Sequence, residues 1–415
     1  MNNKKWYFTL MIITLSLQIS VLTAGNSIFS VSGLPSQYLG NDIYSQGMGD
    51  VGLGDGLRLS NGFGNPALIN TANTVNFYTG LKLGYIKYNT DSNSSYTDNA
   101  LDLPFFSIVA PYGNHKFAFQ FNSWKSGNFD NIVETTYSLT NDDGEEEEYT
   151  LSEQNLFSSY IYKLDAYYGY RLPAGWSMGL GPNIYIGHRE RELIQDSGNG
   201  VFNTKNKTKI TFTDIGFSAG ILKQGATWSL GANYEYGREI QAKKEFFTIH
   251  SNEELEDVEL NLPHRFGFGF AKKWAGLFKV ASDVNYEIWD SFLGEDYHNA
   301  WKAGIGFAYE PKLGRKEFYK LIPVRTGFSL RELPFEENDE KIYEKSFTVG
   351  FSLPLKSRVD KLDFAFEYLI RGDVDTHGIE DRSSMFMIGV SGFDIFRKVH
   401  TRKAPRDIPV KEDLN

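Results

Sequence analysis

Residues 277–289 read LFKVASDVNYEIW, and their side chains alternate between two kinds of chemistry with a period of two. One face carries Phe278, Val280, Val284, Tyr286 and Ile288. The other face carries lysine, aspartate, asparagine and glutamate. Because successive side chains of a strand point to opposite faces of a sheet, this stretch predicts a β-strand with one apolar and one polar face.

Fourteen segments of this kind follow one another along the chain. They start near residues 75, 101, 115, 155, 176, 208, 226, 263, 277, 298, 321, 345, 361 and 383. Short turns such as PYGN and LPAG alternate with longer polar connections, which span residues 125–154, 190–207, 241–262, 334–344 and 372–382. This alternation is typical of up-and-down membrane barrels. The sequence therefore predicts an all-β fold, a fourteen-stranded antiparallel transmembrane β-barrel with both termini on the periplasmic side.

A soluble β-sandwich also alternates, and the composition of the polar face decides between the two folds. In a soluble protein charged residues dominate that face, whereas here it is rich in glycine, serine, asparagine and alanine. Aromatic residues make up 15% of the chain. Tryptophans stand near segment ends, as in the interfacial girdles of membrane barrels; they are Trp124, Trp176, Trp228, Trp274, Trp289 and Trp301. These features favour the membrane barrel.

The N-terminus predicts export. Lys4 and Lys5 precede an apolar stretch that ends near Leu22, which is the pattern of a secretory signal peptide over residues 1–24. A membrane anchor is the competing interpretation. The chain has no cysteine, which excludes disulfides and thiol catalysis, and its net charge of −10 gives no reason to expect nucleic-acid binding. An exported barrel is expected in the outer membrane of a Gram-negative bacterium, among lipid and lipopolysaccharide.

A glycine-rich stretch, SQGMGDVGLGDGLRLSNGFGNPALIN, spans residues 45–70. Gly47, Gly49 and Gly52 in it form a literal G-x-G-x-x-G, the motif of dinucleotide-binding loops. That function requires an apolar strand before the motif and a helix after it, and neither is present here. The sequence therefore favours an irregular, closely packed segment in which glycine permits tight turns and close backbone contact.

With these residues the sequence resembles the long-chain fatty-acid transporter type of outer-membrane protein (FadL-like), including the related PorV-type secretion proteins. The matching motifs are GMGDVGLGDG…NPALI and LPHRFGFGFAKKW…ASDVNYEIW. The resemblance implies a plug, or hatch, in residues 25–74 and a barrel in 75–394, and residues 395–415 are expected to form a polar periplasmic tail. Its hatch residues would be Gly47, Met48, Gly49, Gly52, Asn65, Pro66 and Ala67. Asp50, Asp55 and the polar tail depart from the family pattern.

Charged residues occur at positions that should face the barrel lumen. They are Lys279, Asp283, Glu287, Lys302, Glu310, Arg325, Arg331, Glu367 and Arg371. In a plugged barrel such groups pair across the wall and hold the hatch. The alternative interpretation is a network that only satisfies buried charge.

Two of the long connections have distinctive compositions. Glu145 to Glu148 form an acidic run, which is either a solvated outer loop or a site for cations that bridge lipopolysaccharide. Phe246, Phe247 and Ile249 form either an apolar platform for a ligand or the packing of the connection onto the rim. The seven histidines lack metal-ligand spacing, so no metal, no cofactor and no catalytic residue is predicted.

The leading functional hypothesis is passive uptake of hydrophobic small molecules, such as long-chain fatty acids, gated by the hatch. A PorV-like scaffold in protein secretion is the alternative, with a periplasmic protein partner bound by the basic residues of the tail. A general porin is a third hypothesis, and the expected plug argues against it.

Overall fold

A computed structural model describes residues 27, 29, 36–37, 39–58, 64–90, 95–140, 146–196, 204–248, 252–292, 295–311, 321–355 and 361–394. The predicted signal peptide and polar tail lie outside these residues. Within the described residues, no helix has the length and apolar character needed to span a membrane.

The elements are nearly all strands. In chain order the strands are β1 (Ser36–Gln37), β2 (Asn76–Thr90), β3 (Ser95–Asp102), β4 (Phe105–Tyr112), β5 (His115–Thr140), β6 (Glu146–Arg171), β7 (Trp176–Asp196), β8 (Thr204–Gln224), β9 (Trp228–Glu235), β10 (Glu239–Phe247), β11 (Asn252–Asn261), β12 (His264–Trp274), β13 (Phe278–Ile288), β14 (Ser291–Phe292), β15 (Glu295–Asp296), β16 (Ala300–Tyr309), β17 (Val324–Glu337), β18 (Glu340–Pro354), β19 (Lys361–Asp373) and β20 (Ile379–Asp394). The helices are α1 (Ile43–Gln46) and α2 (Val374–His377), with 3-10 turns at Pro66–Thr71 and Pro173–Gly175.

The strands close into a fourteen-stranded antiparallel barrel, as predicted. Three barrel strands are interrupted, so β3 with β4, β9 with β10 and β11 with β12 each count as one. β20 pairs with β2 from Asn76↔Asp394 to Thr90↔Ile379, which closes the wall. Closure leaves the sheet without the two exposed edges that an open sheet presents.

The two faces of the wall follow the period of two. On β13, Phe278, Val284 and Tyr286 are exposed on the outside, where lipid would cover them. Lys279 and Asp283 on the same strand are buried and face the lumen. The prediction of an apolar outer face and a polar inner face is therefore confirmed for this strand.

The outer connections are mostly strand rather than loop, which corrects the sequence-based prediction. β5 and β6 remain paired from His115↔Tyr170 to Thr140↔Glu146, through most of the expected loop 125–154. The expected loop 241–262 is largely the hairpin of β10 and β11. Above the membrane nothing requires an apolar face, so the period-two signal disappears although the backbone ladder continues.

Two tryptophans are wrongly predicted as girdle residues. Trp176 and Trp274 are exposed on the outer wall, but Trp124 and Trp289 are buried in the lumen. By the period of two, Trp124 shares the inward face of β5 with Gln120 and Asn122, and Trp289 follows Glu287 on the inward face of β13. Placement near a segment end was therefore a poorer guide to the girdle than the alternation.

The sequence of β8 shifts phase near Asp214, which predicts a bulge there, but the pairing with β7 shows none. β8 pairs with β7 without a register shift from Thr204 to Lys223. The inward face instead changes from polar to apolar along the strand, because Ile210 and Phe212 belong to an apolar cluster in the outer half of the lumen.

The wall has a seam between β3 and β5. Pro104 interrupts the second barrel strand, and its carbonyl accepts the Ser123 amide at 3.0 Å. Beyond this bond, among the described residues, β3 pairs only with β2, and β5 pairs with β6 and, at Ser126 and Lys125, with β1. Proline lacks the amide donor that a continuous ladder needs, which explains the interruption.

Candidate functional site

The hatch, defined here as residues 39–58 and 64–72, fills the lumen near the short turns. All seven residues that the resemblance implies for it are buried; they are Gly47, Met48, Gly49, Gly52, Asn65, Pro66 and Ala67. Two described residues that precede the hatch, Ser27 and Phe29, lie nearer the long-loop end of the lumen. Ser27 donates a hydrogen bond to Asp381, and Phe29 lies against Gly372, near α2 at the long-loop end. The chain therefore enters from the outer half of the lumen and descends.

The barrel strands present glycines to the hatch backbone. A Cβ on any of these glycines would lie within 2.1–2.4 Å of a hatch main-chain atom. The glycines and the hatch atoms are Gly179 with Pro66 O, Gly231 with Leu53 O, Gly269 with Gly54 N, Gly306 with Met48 O and Gly327 with Gly49 N. Real Cβ atoms do not approach so closely, so the hatch docks main chain to wall where side chains are missing. We call these five residues the glycine belt.

The sequence NPA caps the second half of the hatch. The Asn65 side chain accepts the Ala67 amide at 3.0 Å, and Pro66 begins the 3-10 turn. The Asn65 amide group donates to Leu53 O at 2.9 Å and to Ile221 O on the wall at 3.1 Å. Asparagine is a preferred cap and proline a preferred first residue, so this short motif both starts the turn and ties it to the barrel.

Buried ion pairs tie the first half of the hatch to the wall. Asp55 accepts Lys279 at 2.6 Å, and Lys279 also contacts Glu310 at 2.8 Å. Asp50 pairs with Lys302. The two aspartates that depart from the family pattern are therefore both hatch anchors. Removing one partner of such a pair leaves an uncompensated buried charge, which is strongly destabilising.

Asp283 holds the turn between these pairs. Its Oδ2 accepts the amides of Gly52 at 2.5 Å and Leu53 at 2.8 Å. A carboxylate that accepts two backbone amides makes strong, charge-assisted hydrogen bonds. A Cβ on Gly52 would lie 2.5 Å from Ser45 Oγ, which explains the local need for a residue without a side chain.

Tyr44 of α1 is surrounded by cations. Its ring centroid lies 4.2 Å from Arg58 Cζ, 4.4 Å from Arg325 Cζ and 4.7 Å from Lys279 Nζ. Arg58 also pairs with Asp42 at 2.7 Å. Burial alone would raise the pKa of Asp42, but the Arg58 charge and hydrogen bonds lower it to about 2. The hatch thus carries its own buried ion pair, next to a cation–π cluster shared with the wall.

The other predicted lumen charges also face inward, above the hatch. Glu367 accepts Lys82 at 2.9 Å, Arg371 contacts Asp381 at 3.1 Å, and Arg331 contacts Glu344 at 3.5 Å. Glu287 accepts the Trp289 indole N–H at 3.0 Å. Of the nine predicted lumen residues, five contact the hatch, namely Lys279, Asp283, Lys302, Glu310 and Arg325, while these four do not.

A cavity of about 130 Å³ lies between the hatch and the β16–β20 side of the wall. Its lining is largely charged and includes Asp50, Lys82, Lys302 and Glu367. Pro104 and Ser123 also line it, so it reaches the seam between β3 and β5. Sequence reasoning did not find this opening, although the proline inside a strand pattern was its signal.

Aromatic and aliphatic side chains fill the outer half of the lumen. The cluster includes Phe29, Trp124, Tyr185, Phe212, Trp289 and Phe335. Lys125 is 1% exposed, and its Nζ lies 5.0 Å from the rings of both Trp124 and Trp289. Within the described part of the chain, no carboxylate lies within ion-pair distance of Lys125. We call this region the aromatic chamber.

Further unused donors accompany Lys125 in the chamber. Arg265 Nη2 contacts Glu235 at 2.5 Å, but its Nε and Nη1 have no partner among the described residues, and neither has the Trp124 indole N–H. Arg265 stands opposite Glu287 on the neighbouring strand, and Glu287 accepts Trp289. Buried donors without acceptors are costly, so this cluster is a candidate site for an anionic group.

The apolar platform expected at Phe246, Phe247 and Ile249 is not formed as a single surface. Phe246 and Phe247 are successive residues of β10, opposite Thr208 and Lys207 of β8. Successive strand residues point to opposite faces, so the two rings cannot share one patch. Ile249 lies outside the described residues. The acidic run also belongs to a strand for the most part, since β6 begins at Glu146, and Glu148 is exposed.

The comparisons with known proteins agree with this architecture. The family model described as BamG matches residues 3–398. No curated protein sequence is significantly similar to the chain. Among solved structures, a Pseudomonas aeruginosa FadL homologue superposes with a TM-score of 0.60 at 13% identity, covering 87% of this chain and 100% of that one.

Two hydrocarbon channels are similar to the same extent. The CymD monoaromatic hydrocarbon channel gives a TM-score of 0.57 at 14% identity, over 85% of this chain and 97% of its own. The Ralstonia pickettii toluene transporter TbuX gives a TM-score of 0.56 at 14% identity, over 85% of this chain and 98% of its own. These matches show a shared FadL-like barrel fold.

Proposed function

Because this chain belongs to the BamG family and has a FadL-like barrel, we propose that it passes small hydrophobic molecules with an anionic head across the outer membrane, without energy input. Long-chain fatty acids are the representative compounds. The hatch closes the short-turn end of the lumen, and movement of a few hatch residues opens the path.

The aromatic chamber carries this proposal. Its rings offer an apolar surface for a hydrocarbon tail, while, among the residues that the structure describes, Arg265 Nε and Nη1 lack an acceptor and Lys125 forms no ion pair. A ligand carboxylate would supply that acceptor and form charge-assisted hydrogen bonds in a water-poor site. Apolar pockets with a few convergent polar groups are the usual form of small-molecule sites.

The seam supplies a second part of the path. The cavity above the hatch reaches Pro104 and Ser123, where the ladder between β3 and β5 stops. A molecule that descends from the aromatic chamber meets the charged cavity and the hatch. Its apolar tail gains free energy by leaving sideways toward lipid through the seam rather than entering water.

Uptake of labelled long-chain fatty acid tests the proposal. Cells that lack their own outer-membrane fatty-acid transporter would express this chain, with barrel folding verified by heat-modifiable gel migration. Uptake above the empty-vector control is expected. A folded barrel that gives only the vector background would refute the transport function.

The Lys125→Met variant separates a ligand role from a structural role. Loss of the cation should weaken uptake or ligand binding by about tenfold or more, since a charge-assisted hydrogen bond is lost. Barrel stability should stay equal or rise, because an unpaired buried charge is replaced by an apolar chain. Lys205→Met, on the exposed outer end of β8, is the matched control.

An interaction barrel of the PorV type is the second candidate. The observation in its favour is the small volume above the docked hatch, about 130 Å³ against roughly 300–1,000 Å³ for typical ligand pockets. The basic tail that would bind a periplasmic protein lies outside the described residues. Removing residues 397–415 distinguishes the two: loss of partner retention with normal uptake would favour the scaffold.

A further inference from the structure

A hairpin of β5 and β6 rises far beyond the barrel wall at the long-loop end. The outward apolar residues of β5 end near Phe121, which marks the upper limit of the lipid-facing band. At about 3.3 Å per residue and a tilt of about 40°, the stretch from Lys125 to Thr140 climbs about 40 Å above it. Membrane barrels carry their long connections on the cell surface, so this hairpin stands outside the cell.

Among the residues that the structure describes, one edge of the hairpin has no strand paired with it beyond Ser126. Past Ser126, the β5 residues in the described structure form a ladder with β6 alone. On the other side of the seam, β3 is paired with β2 and ends at Ser95. Alternate residues of β5 from Gly127 to Thr140 therefore direct their amide and carbonyl groups away from β6. Unpaired groups of this kind are a template for another strand.

The open edge carries acidic residues but no lysine or proline, which are two of the devices that protect natural edge strands. Natural edge strands carry lysine or proline, bulge away, or are very short. From Ser126 to Tyr162 this chain has no lysine, arginine or proline. Ile132, Val133 and Tyr137 are 58%, 45% and 49% exposed, so side chains on both faces of the strand are accessible.

We propose that the free edge of β5, residues 127–140, docks an extended basic segment of another polypeptide outside the cell, by strand addition. The strand shape follows from the edge, because main-chain hydrogen bonds need a partner in extended conformation. The polarity of the partner follows from the charge of the hairpin.

That charge is strongly and locally negative. Residues 126–162 contain nine aspartates and glutamates and no basic residue. The neighbouring strands are different, since Lys205 and Lys207 of β8 contact Glu192 and Glu190 of β7 at 2.6 Å. Complementary charge speeds encounter and selects the partner, so a basic segment is favoured. Two copies of this acidic edge repel each other, which disfavours pairing of the chain with itself.

The direct test uses the full barrel in detergent and three labelled ten-residue peptides. The first alternates lysine and valine, the second is the same peptide N-methylated at alternate residues, and the third alternates glutamate and valine. Binding of the first peptide is expected, with at least about tenfold weaker binding of the other two. Hydrogen exchange should slow in residues 127–140. Equal binding of the N-methylated peptide would overturn strand addition.

Two proline variants locate the binding edge. Val133→Pro and Glu134→Pro remove amides on opposite edges of β5, because successive amides alternate in direction. The variant that leaves β6 exchange unchanged should abolish peptide binding, while uptake through the lumen stays normal. Binding that survives both variants would refute the proposal. If the barrel sediments as a dimer and the same proline variant dissociates that dimer, the edge would be assigned to a second copy of this chain instead.

Discussion

Gly306→Ala tests whether the glycine belt holds the hatch. The new Cβ would lie 2.1 Å from Met48 O and 2.3 Å from Met48 Cγ. A carbon–oxygen contact needs about 3.3 Å, so the hatch must retreat by about 1 Å. Alanine suits a strand better than glycine does, and the barrel itself should therefore form normally.

The cost of this retreat follows from the neighbouring contacts. The Gly49 amide donates to Thr348 Oγ1 at 2.7 Å, and a shift of 1 Å breaks this buried bond at a cost of about 1–3 kcal/mol. Overpacking at the buried Met48 costs about 1 kcal/mol more. A total of about 3 kcal/mol raises the population of undocked hatch by about 150-fold.

Conductance across planar bilayers measures the effect. The open fraction of Gly306→Ala should exceed that of the native chain by about two orders of magnitude, and Gly327→Ala should behave alike because it presses on Gly49 N. Gly113→Ala is the control for conductance, because its Cβ meets nothing within 4 Å and the strain that alanine adds at φ +60° falls in the β4–β5 turn rather than on the hatch. Native conductance and native thermal stability in both belt variants would show that the hatch does not pack against these glycines.

Two further predictions concern the hatch charges. Lys279→Met leaves Asp55 and Glu310 without their shared cation and should destabilise hatch docking by about 3–5 kcal/mol. The variant channel should then stay open in planar bilayers. A channel that stays closed as often as the native one would contradict this prediction. The pKa of Asp42 is lowered to about 2 by Arg58, from about 3.9 in an unfolded chain. The ionised Asp42 carboxylate therefore stabilises the docked hatch above pH 4, and this contribution is lost as the pH falls toward 2. Channel openings should become more frequent only in that pH window, and Asp42→Asn should remove this pH dependence.

Sequence periodicity was sufficient for the membrane part of the wall. The alternation in residues 277–289 predicted which side chains of β13 meet lipid and which face the lumen, and the structure agrees. The reason is physical: a strand with lipid on one side and a polar lumen on the other must alternate in chemistry with the period of its side chains. The starts of β7 and β19 were found at the correct residues, Trp176 and Lys361.

The same signal disappeared where the surroundings became uniform. Outside the membrane both faces of β5 and β6 meet water, so their pairing up to Thr140↔Glu146 left no alternation to read. In the outer half of the lumen the inward face of β8 becomes apolar at Ile210 and Phe212, while the outward Thr211 and Thr213 are polar, so the alternation reverses without a bulge against β7. Trp124, which was predicted as a girdle residue, stands on the inward face of β5 with Gln120 and Asn122.

By itself, the sequence determined the β-barrel class, the strand faces in the membrane and the presence of a glycine-rich hatch. Only the tertiary structure decided which groups meet. Asp55 and Lys279 are 224 residues apart, and Gly306 touches Met48 across a similar distance in the chain. Local patterns report the solvent on each side of a strand, whereas such contacts depend on barrel closure, register and the path of the hatch, which no local pattern encodes.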